Sequence, residues 1–254
     1  MTKKALSATV IIPARYHSTR LPGKPLLDVN GHSLIYHSYR SITPSPWIRD
    51  VVVATDDQRI KDVVEGFGGR AVMTSAEPKT GTDRIAETVE QLEGEVFVNV
   101  QGDEILLNKN FLDPLIEAFS ERPEIQMGTL KRELTDWNDI RNPNIVKVVS
   151  DISGHALYFS RSPIPYHRDL PASAPVPSGA YYRHFGVYIY RRPFLREYHQ
   201  WPESSLESIE KLEQLRAMER GVKIWVMETK GDSLRVDTKE DLESVKNHLA
   251  GKHG

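Results

Sequence analysis

Three permanent cations, Arg15, Arg20 and Lys24, fall within ten residues of the segment Ala14-Arg-Tyr-His-Ser-Thr-Arg-Leu-Pro-Gly-Lys24. Arginine offers a flat two-pronged fork and lysine a compact point charge, a combination that suits a polyphosphate. On charge alone the same segment fits a solvated basic loop. It is not a phosphate-binding P-loop, because the Gly-x-x-x-x-Gly-Lys-Ser/Thr pattern is missing. Gly66-Phe-Gly68-Gly69 is not a dinucleotide fingerprint either, since it follows a helical pattern instead of a strand.

Carboxylates stand at two further turns. Gln101-Gly102-Asp103-Glu104 follows an apolar run, and Asp237 lies in Arg235-Val-Asp-Thr238 ahead of a helical stretch. Mg2+ takes hard oxygen ligands, commonly one or two carboxylates completed by substrate phosphates. Taken singly, Asp103 reads as a turn residue and Asp237 as the neighbour of a helix cap. Taken with the cationic loop, the pair favours nucleotidyl transfer. His184, Gly186 and Tyr188 alternate onto one strand face, where glycine leaves room for a ligand; a half-buried sheet face accounts for them equally. Glu210 and Gln214 are four residues apart, on one face of a predicted helix, and could reach sugar hydroxyls or simply be solvated.

The elements that must position these residues are legible as a rhythm. Thr9–Pro13, Val51–Thr55, Ala71–Thr74 and Val96–Val100 are short apolar runs that suit a parallel sheet covered on both faces. Helical spacing separates them, at Ile60, Val63, Val64 and Phe67, then at Ile85, Val89 and Leu92, with Thr82 as the expected cap. The fold expected is α/β: an open, mostly parallel nucleotide-binding sheet with helices on both faces, plus a smaller mixed α+β lobe over about residues 130–220. In that half, Val146–Val149 and Ala156–Phe159 read as a hairpin, and five prolines in 163–182 as a long loop. His184–Tyr190 reads as a strand, Leu206–Met218 as one long helix ending at Gly221, Ile224–Met227 as a strand and Thr238–Leu249 as a final helix.

Composition bounds the function. The chain has 254 residues, 39% hydrophobic and 27% charged, and reads as one domain. A formal net charge of −2 argues against a general nucleic-acid binder. The absence of cysteine excludes disulfides, thiolate zinc sites and cysteine nucleophiles. No nucleophile elbow or zinc-binding His-Glu-x-x-His helix is present. Without a signal-like segment or an apolar run near ~20 residues, a cytoplasmic protein with no membrane insertion is expected.

The segment Pro13-Ala-Arg-Tyr-His-Ser-Thr-Arg-Leu-Pro-Gly-Lys-Pro25 resembles the signature loop of the sugar-acid cytidylyltransferases. Thr80-Gly-Thr-Asp-Arg84, Val98-Asn-Val-Gln-Gly-Asp-Glu104, Asn142-Pro-Asn-Ile-Val-Lys-Val-Val149, Tyr158-Phe-Ser-Arg161, Arg183-His-Phe-Gly-Val-Tyr188, Glu210–Arg216 and Val236–Leu242 narrow the resemblance to the 3-deoxy-manno-octulosonate (Kdo) cytidylyltransferase family. The resemblance implies transfer of CMP from CTP to the anomeric hydroxyl of an eight-carbon sugar acid, in lipopolysaccharide or capsule synthesis, by a Mg2+-dependent homodimer. It assigns Ala14, Arg15, Arg20, Lys24, Thr80, Arg84 and Gln101 to the nucleotide, with Arg15 and Lys24 on the triphosphate. Asp103 and Asp237 become metal ligands, and Arg161, His184, Tyr188, Glu210 and Gln214 the sugar-binding set. Two positions depart from the family pattern, Ile105 where proline is usual and Arg235 where glycine is usual. An 8-amino analogue of the sugar, a sialic-type acid, or a nucleotide-binding regulator without turnover are the alternatives.

Overall fold

A computed structural model describes residues 7–17, 21–42, 44–77, 80–106, 111–171 and 174–251. Arg20 lies outside them. The chain opens with β1 (Ala8–Ala14), a short 3-10 turn at Lys24–Leu26, the two-residue strands β2 (Asp28–Val29) and β3 (His32–Ser33), and α1 (Leu34–Ser41). There follow β4 (Ile48–Thr55), α2 (Gln58–Gly66), β5 (Arg70–Met73), α3 (Gly81–Val89), β6 (Val96–Asn99), β7 (Glu104–Leu106) and α4 (Asp113–Ser120). The second half contains β8 (Met127–Glu133), α5 (Trp137–Arg141), β9 (Lys147–Ser150), β10 (Ala156–Ser160) and β11 (Tyr182–Arg191). It closes with α6 (Arg192–His199), α7 (Ser205–Glu210), α8 (Gln214–Glu219), β12 (Ile224–Glu228), β13 (Ser233–Arg235) and α9 (Lys239–Ala250).

A large sheet runs β10-β9-β11-β6-β1-β4-β5, with β8 on β11 and β12 on β8. β1 is parallel to both β4 and β6, and β4 to β5, as the apolar runs predict. The ten-residue β11 runs antiparallel to β6, β8 and β9, and so carries the sheet from its parallel half into the hairpin β9–β10. Strand alternation divides β1 between two cores: Val10 and Ile12 meet α1, α2 and α4, whereas Ile11 faces α3, α6 and α8. A third, smaller core joins Leu21, Ile105, Val236 and Val245, and so fixes α9 and the β7–β13 pair beside the Lys24 turn.

Two sequence expectations change. α3 is capped by Thr80, not Thr82: the Thr80 side chain accepts from Asp83 N–H, and the Asp83 carboxylate accepts from Thr80 N–H, a reciprocal capping box. The expected long helix is two, because Lys211 adopts a left-handed conformation (φ 54°) that no continuous helix accommodates. Glu210 and Gln214 therefore do not share a helical face. In the hairpin, Phe159 is buried in the core against the His184 ring, and Leu157 is the exposed apolar side chain of the edge strand β10.

The break between α7 and α8 is held by Arg216, whose guanidinium donates to both Glu207 oxygens at 2.7 and 2.6 Å and to Asp83 at 3.2 Å. This buried group ties α7 and α8 to α3, the helix that carries Thr80. Arg216→Ala should destabilise the protein by about 3–5 kcal/mol, because two buried carboxylates lose their counter-charge. Urea unfolding of the variant checks this; an unchanged midpoint would contradict it.

Candidate active site

β1 and β6 are adjacent and parallel, so their carboxyl ends open on the same edge of the sheet, the usual ligand position in open α/β folds. The segment after β1 brings Arg15 and Lys24 there, and the segment after β6 brings Gln101, Gly102 and Asp103. A Cβ on Gly102 would lie 2.9 Å from the Pro13 carbonyl oxygen, so only glycine lets the two segments pack this closely. Ser38 of α1 pins the same turn by donating to the Gly102 carbonyl at 3.0 Å.

Two cavities adjoin at this edge. The outer one, about 360 Å³, is lined by Ala14, Arg15, Lys24, Gln101, Asp103 and Asp237. The inner one, about 400 Å³, is lined by Arg161, His184, Gly186, Tyr188, Gln214 and Arg235, among others. Gln101 and Asp237 line both, so the cavities form one continuous cleft.

At the outer end, Lys24 Nζ donates to Asp103 Oδ2 at 2.6 Å, to the Val236 carbonyl at 2.7 Å and to Asp237 Oδ1 at 3.3 Å. Tertiary folding thus places the two aspartates, far apart in sequence, on one cation. Arg15 donates to the Thr80 carbonyl at 2.8 Å, and burial together with the nearby Arg84 pulls its pKa below the usual value. Arg84 itself is 0% exposed, lines neither cavity, and sits 3.1 Å from Asp56 while also bonding Thr74. It also donates to the Ser75 carbonyl at 3.3 Å and so ties α3 to the segment after β5.

Asp103 and Asp237 fit a hard divalent cation. Both are oxygen donors, both already face a positive charge, and Asp103 Oδ1 is buried without a hydrogen bond among the described residues. No cluster of three or more His, Cys, Asp or Glu able to hold a metal occurs among the described residues, so phosphate oxygens would have to complete the shell.

At the inner end, His184 Nε2 lies 3.0 Å from Thr129 Oγ1, whose single proton goes to the Val187 carbonyl at 2.7 Å. The ring therefore donates through Nε2 and keeps Nδ1 as an acceptor. Burial, reinforced by Arg183 and Arg235, lowers its pKa to about 3. Arg161 lines the cavity, but its guanidinium donates to the Glu210 and Pro143 carbonyls at 2.7 and 3.0 Å. Glu210 accepts from Ser160 Oγ and Arg161 N–H at 2.6 and 3.0 Å; it does not line the cavity and acts as a clamp on the end of β10. Gln214 is buried in the cavity wall with its Nε2 lacking a partner among the described residues.

Sequence reasoning gave no role to Glu104, Arg183, Asn142 and Asn144, all of which line the inner cavity. Glu104 is 2% exposed; Oε1 accepts from Ser233 at 2.6 Å, whereas Oε2 has no hydrogen bond among the described residues. Burial pushes its carboxyl pKa up. A Cβ on Gly186 would stand 3.3 Å from that unpaired oxygen, so the glycine preserves the space above it. The available signal was the place of Glu104 beside Asp103, at the start of a strand that pairs with β13.

The cytidylyltransferase family model matches residues 9–224. The 3-deoxy-manno-octulosonate cytidylyltransferase of Syntrophotalea carbinolica is 50% identical over 250 residues, covering 97% of this chain and 100% of that protein. That of Geobacter sulfurreducens is 47% identical over 249 residues, covering 96% and 100%. A solved structure of CMP:2-keto-3-deoxy-manno-octonic acid synthetase complexed with CTP superposes with a TM-score of 0.88 at 40% identity, over 97% of this chain and 99% of that one. By sequence over nearly its whole length, and by fold, this chain belongs to the cytidylyltransferase family, alongside the 3-deoxy-manno-octulosonate cytidylyltransferases.

Proposed function

We propose that this protein transfers CMP from CTP to the anomeric hydroxyl of 3-deoxy-manno-octulosonate, releasing pyrophosphate. The observation that carries the reading is where unsatisfied polar atoms gather. Buried polar groups are normally paired. Of the eight buried side-chain polar atoms without a hydrogen bond among the described residues, four (Asp103 Oδ1, Glu104 Oε2, Arg183 Nε and Gln214 Nε2) belong to residues that line the one cleft, the others being on Arg84, Asn99 and Ser204. A divalent cation carried on a nucleotide's phosphates would meet Asp103 Oδ1 at the outer end, and a polyhydroxylated acid at the inner end offers donors to Glu104 Oε2 and acceptors to Arg183 Nε and Gln214 Nε2.

In the proposed reaction the anomeric oxygen attacks the α-phosphorus of CTP. A new O–P bond forms as the bond to the β-phosphate oxygen breaks, and the hydroxyl proton leaves to solvent. Arg15 and Lys24 hold the triphosphate and stabilise the charge that grows on the departing pyrophosphate. Arg20 belongs to the same proposed set. Asp103 and Asp237 would hold a divalent cation, Mg2+ in this reading, which supplies Lewis acidity toward the phosphates when bound. Gln101, shared by both cavities, stands between the two substrates. Thr80 shapes the nucleotide side as the cap of α3 and the acceptor for Arg15. Arg161, Arg183, His184, Tyr188 and Gln214 face the sugar acid. His184 serves there as a neutral hydrogen-bonding ring, since its depressed pKa leaves it uncharged near neutrality.

The region over about 130–220 is proposed as the sugar-binding and dimerisation lobe, with the edge strand β10 and its exposed Leu157 in a two-fold interface. The product would enter lipopolysaccharide or capsule assembly in the cytoplasm. No helix among the described residues is long and apolar enough to cross a membrane.

Pyrophosphate release measured with CTP and a panel of sugar acids tests the reading directly; no release with any sugar acid would overturn it. In that assay Asp103→Asn and Asp237→Asn should each nearly abolish turnover with the fold retained by circular dichroism. Lys24→Met should lower kcat/KM by about 10²–10³, the usual loss for one electrostatic contact to the transition state.

The buried His184 also predicts an acid sensitivity. Its pKa is about 3 in the folded chain against 6.5 when solvated, so only the unfolded chain takes up a proton between these values. The neutral ring's contribution is intact above pH 6.5 and is lost as pH falls toward 3, by roughly 1.4 kcal/mol per pH unit. His184→Gln should flatten the pH dependence of stability in that window; denaturant titrations at pH 6.5 and 4.5 measure the difference. Sedimentation checks the assembly, and a concentration-independent mass near 28.9 kDa would exclude the dimer.

A further inference from the structure

Arg235 stands at the meeting of the two cavities. It pairs with Glu104 across the β7–β13 ladder, lines the inner cavity, and places Nε 3.1 Å from Asp237 Oδ2. The other oxygen of Asp237 is 3.3 Å from Lys24 Nζ, which is itself 2.6 Å from Asp103. Among the described residues, the two aspartates contribute −2 and the Lys24 and Arg235 side chains paired with them +2, so these four side chains balance.

Such a site treats a bare ion and a metal–nucleotide complex differently. A bare divalent cation would meet two fixed positive charges within ion-pair distance of the carboxylates it needs, and each would have to withdraw. A triphosphate carrying the same ion offers oxygens that Lys24 and Arg235 can follow, so both keep a counter-charge as the metal takes over the aspartates.

We propose that Lys24 and Arg235 are built-in counter-ions that keep the divalent cation off the empty enzyme, so that the ion enters as its complex with the triphosphate, with Arg235 setting the strength of that exclusion. The inference rests on the reading of Asp103 and Asp237 as the metal-holding pair. Arg235 acts here as a positioning residue, through Asp237 and without a role in bond making. It is accessible to substitution, its side chain being 48% exposed.

Mn2+ binding followed by electron paramagnetic resonance tests this without turnover. The full chain is titrated with Mn2+ alone and with Mn2+ plus a non-hydrolysable CTP analogue. The unsubstituted protein should bind Mn2+ weakly alone and at least tenfold more tightly with the analogue. Arg235→Gln should tighten nucleotide-free Mn2+ binding by about tenfold, the effect of about one partly screened charge near the ion. Arg235→Lys keeps the charge and should stay near the unsubstituted value. Equal nucleotide-free affinity in the unsubstituted and Arg235→Gln proteins would overturn the inference, as would full-strength Mn2+ binding without the analogue. A separate control reports on the underlying assignment. If Asp103→Asn and Asp237→Asn both left Mn2+ binding in the presence of the analogue unchanged, the metal reading of the aspartates would fail, and this inference with it.

Discussion

The contact on which the cleft depends is the Lys24 ammonium held between Asp103, Asp237 and the Val236 carbonyl. Three segments that are remote in the chain converge on one nitrogen. Two carboxylates placed this close would repel each other in a partly buried setting, and a cation between them turns that repulsion into cohesion. The lysine therefore closes this edge of the sheet. The same arrangement makes the site sensitive to any ligand that competes for either partner, whether a phosphate for the lysine or a metal ion for the aspartates.

Around that contact the protein keeps its working edge irregular and its frame rigid. The cores on either face of the sheet are built from alternate residues of the same strands, and Ile11 and Ile12 of β1 belong to different cores. The third core buries Ile105 beneath the β7–β13 pair, which carries Glu104 and Arg235 into the cleft side by side. The position of Ile105 explains how a residue other than proline is tolerated there: isoleucine fills apolar space and supplies a ladder N–H that proline lacks. The buried Arg216–Glu207–Asp83 group performs the corresponding task on the other side, bracing the helix that presents Thr80.

The cleft is also divided chemically. Its outer cavity has permanent cations and acids in close pairs, suited to charge on phosphates. Its inner cavity sets hydrogen-bonding groups beside the charged Arg161, Arg183 and Arg235: an uncharged His184, a buried tyrosine at 188, an amide at 214 and a buried carboxyl at 104. Groups of that kind discriminate by hydrogen bonding, because a missing hydroxyl leaves a buried polar atom unpaired, a loss of up to about 10⁴ in specificity. Arg161 is anchored on backbone carbonyls, so its contribution is a fixed positive field at the cavity wall.

The amino-acid sequence by itself determined the α/β class and the parallel strands, and it put Lys24, Asp103 and Asp237 at turns beside strand ends. Those features are local: apolar runs bury on both faces, and turn residues follow strand ends. The helix from Leu206 to Met218 failed as a local reading because apolar spacing continues through Lys211, where the backbone turns left-handed and packing against α3 decides the path. Glu210 and Gln214 consequently point to different tasks, one clamping β10 and one lining the cavity. Tertiary structure alone decided that Glu104 has an unpaired oxygen beneath Gly186, that Arg84 is enclosed, and that Arg235 reaches Asp237. Pairing, burial and charge neutralisation are properties of neighbours in space, and the sequence names the residues without saying which of them will meet.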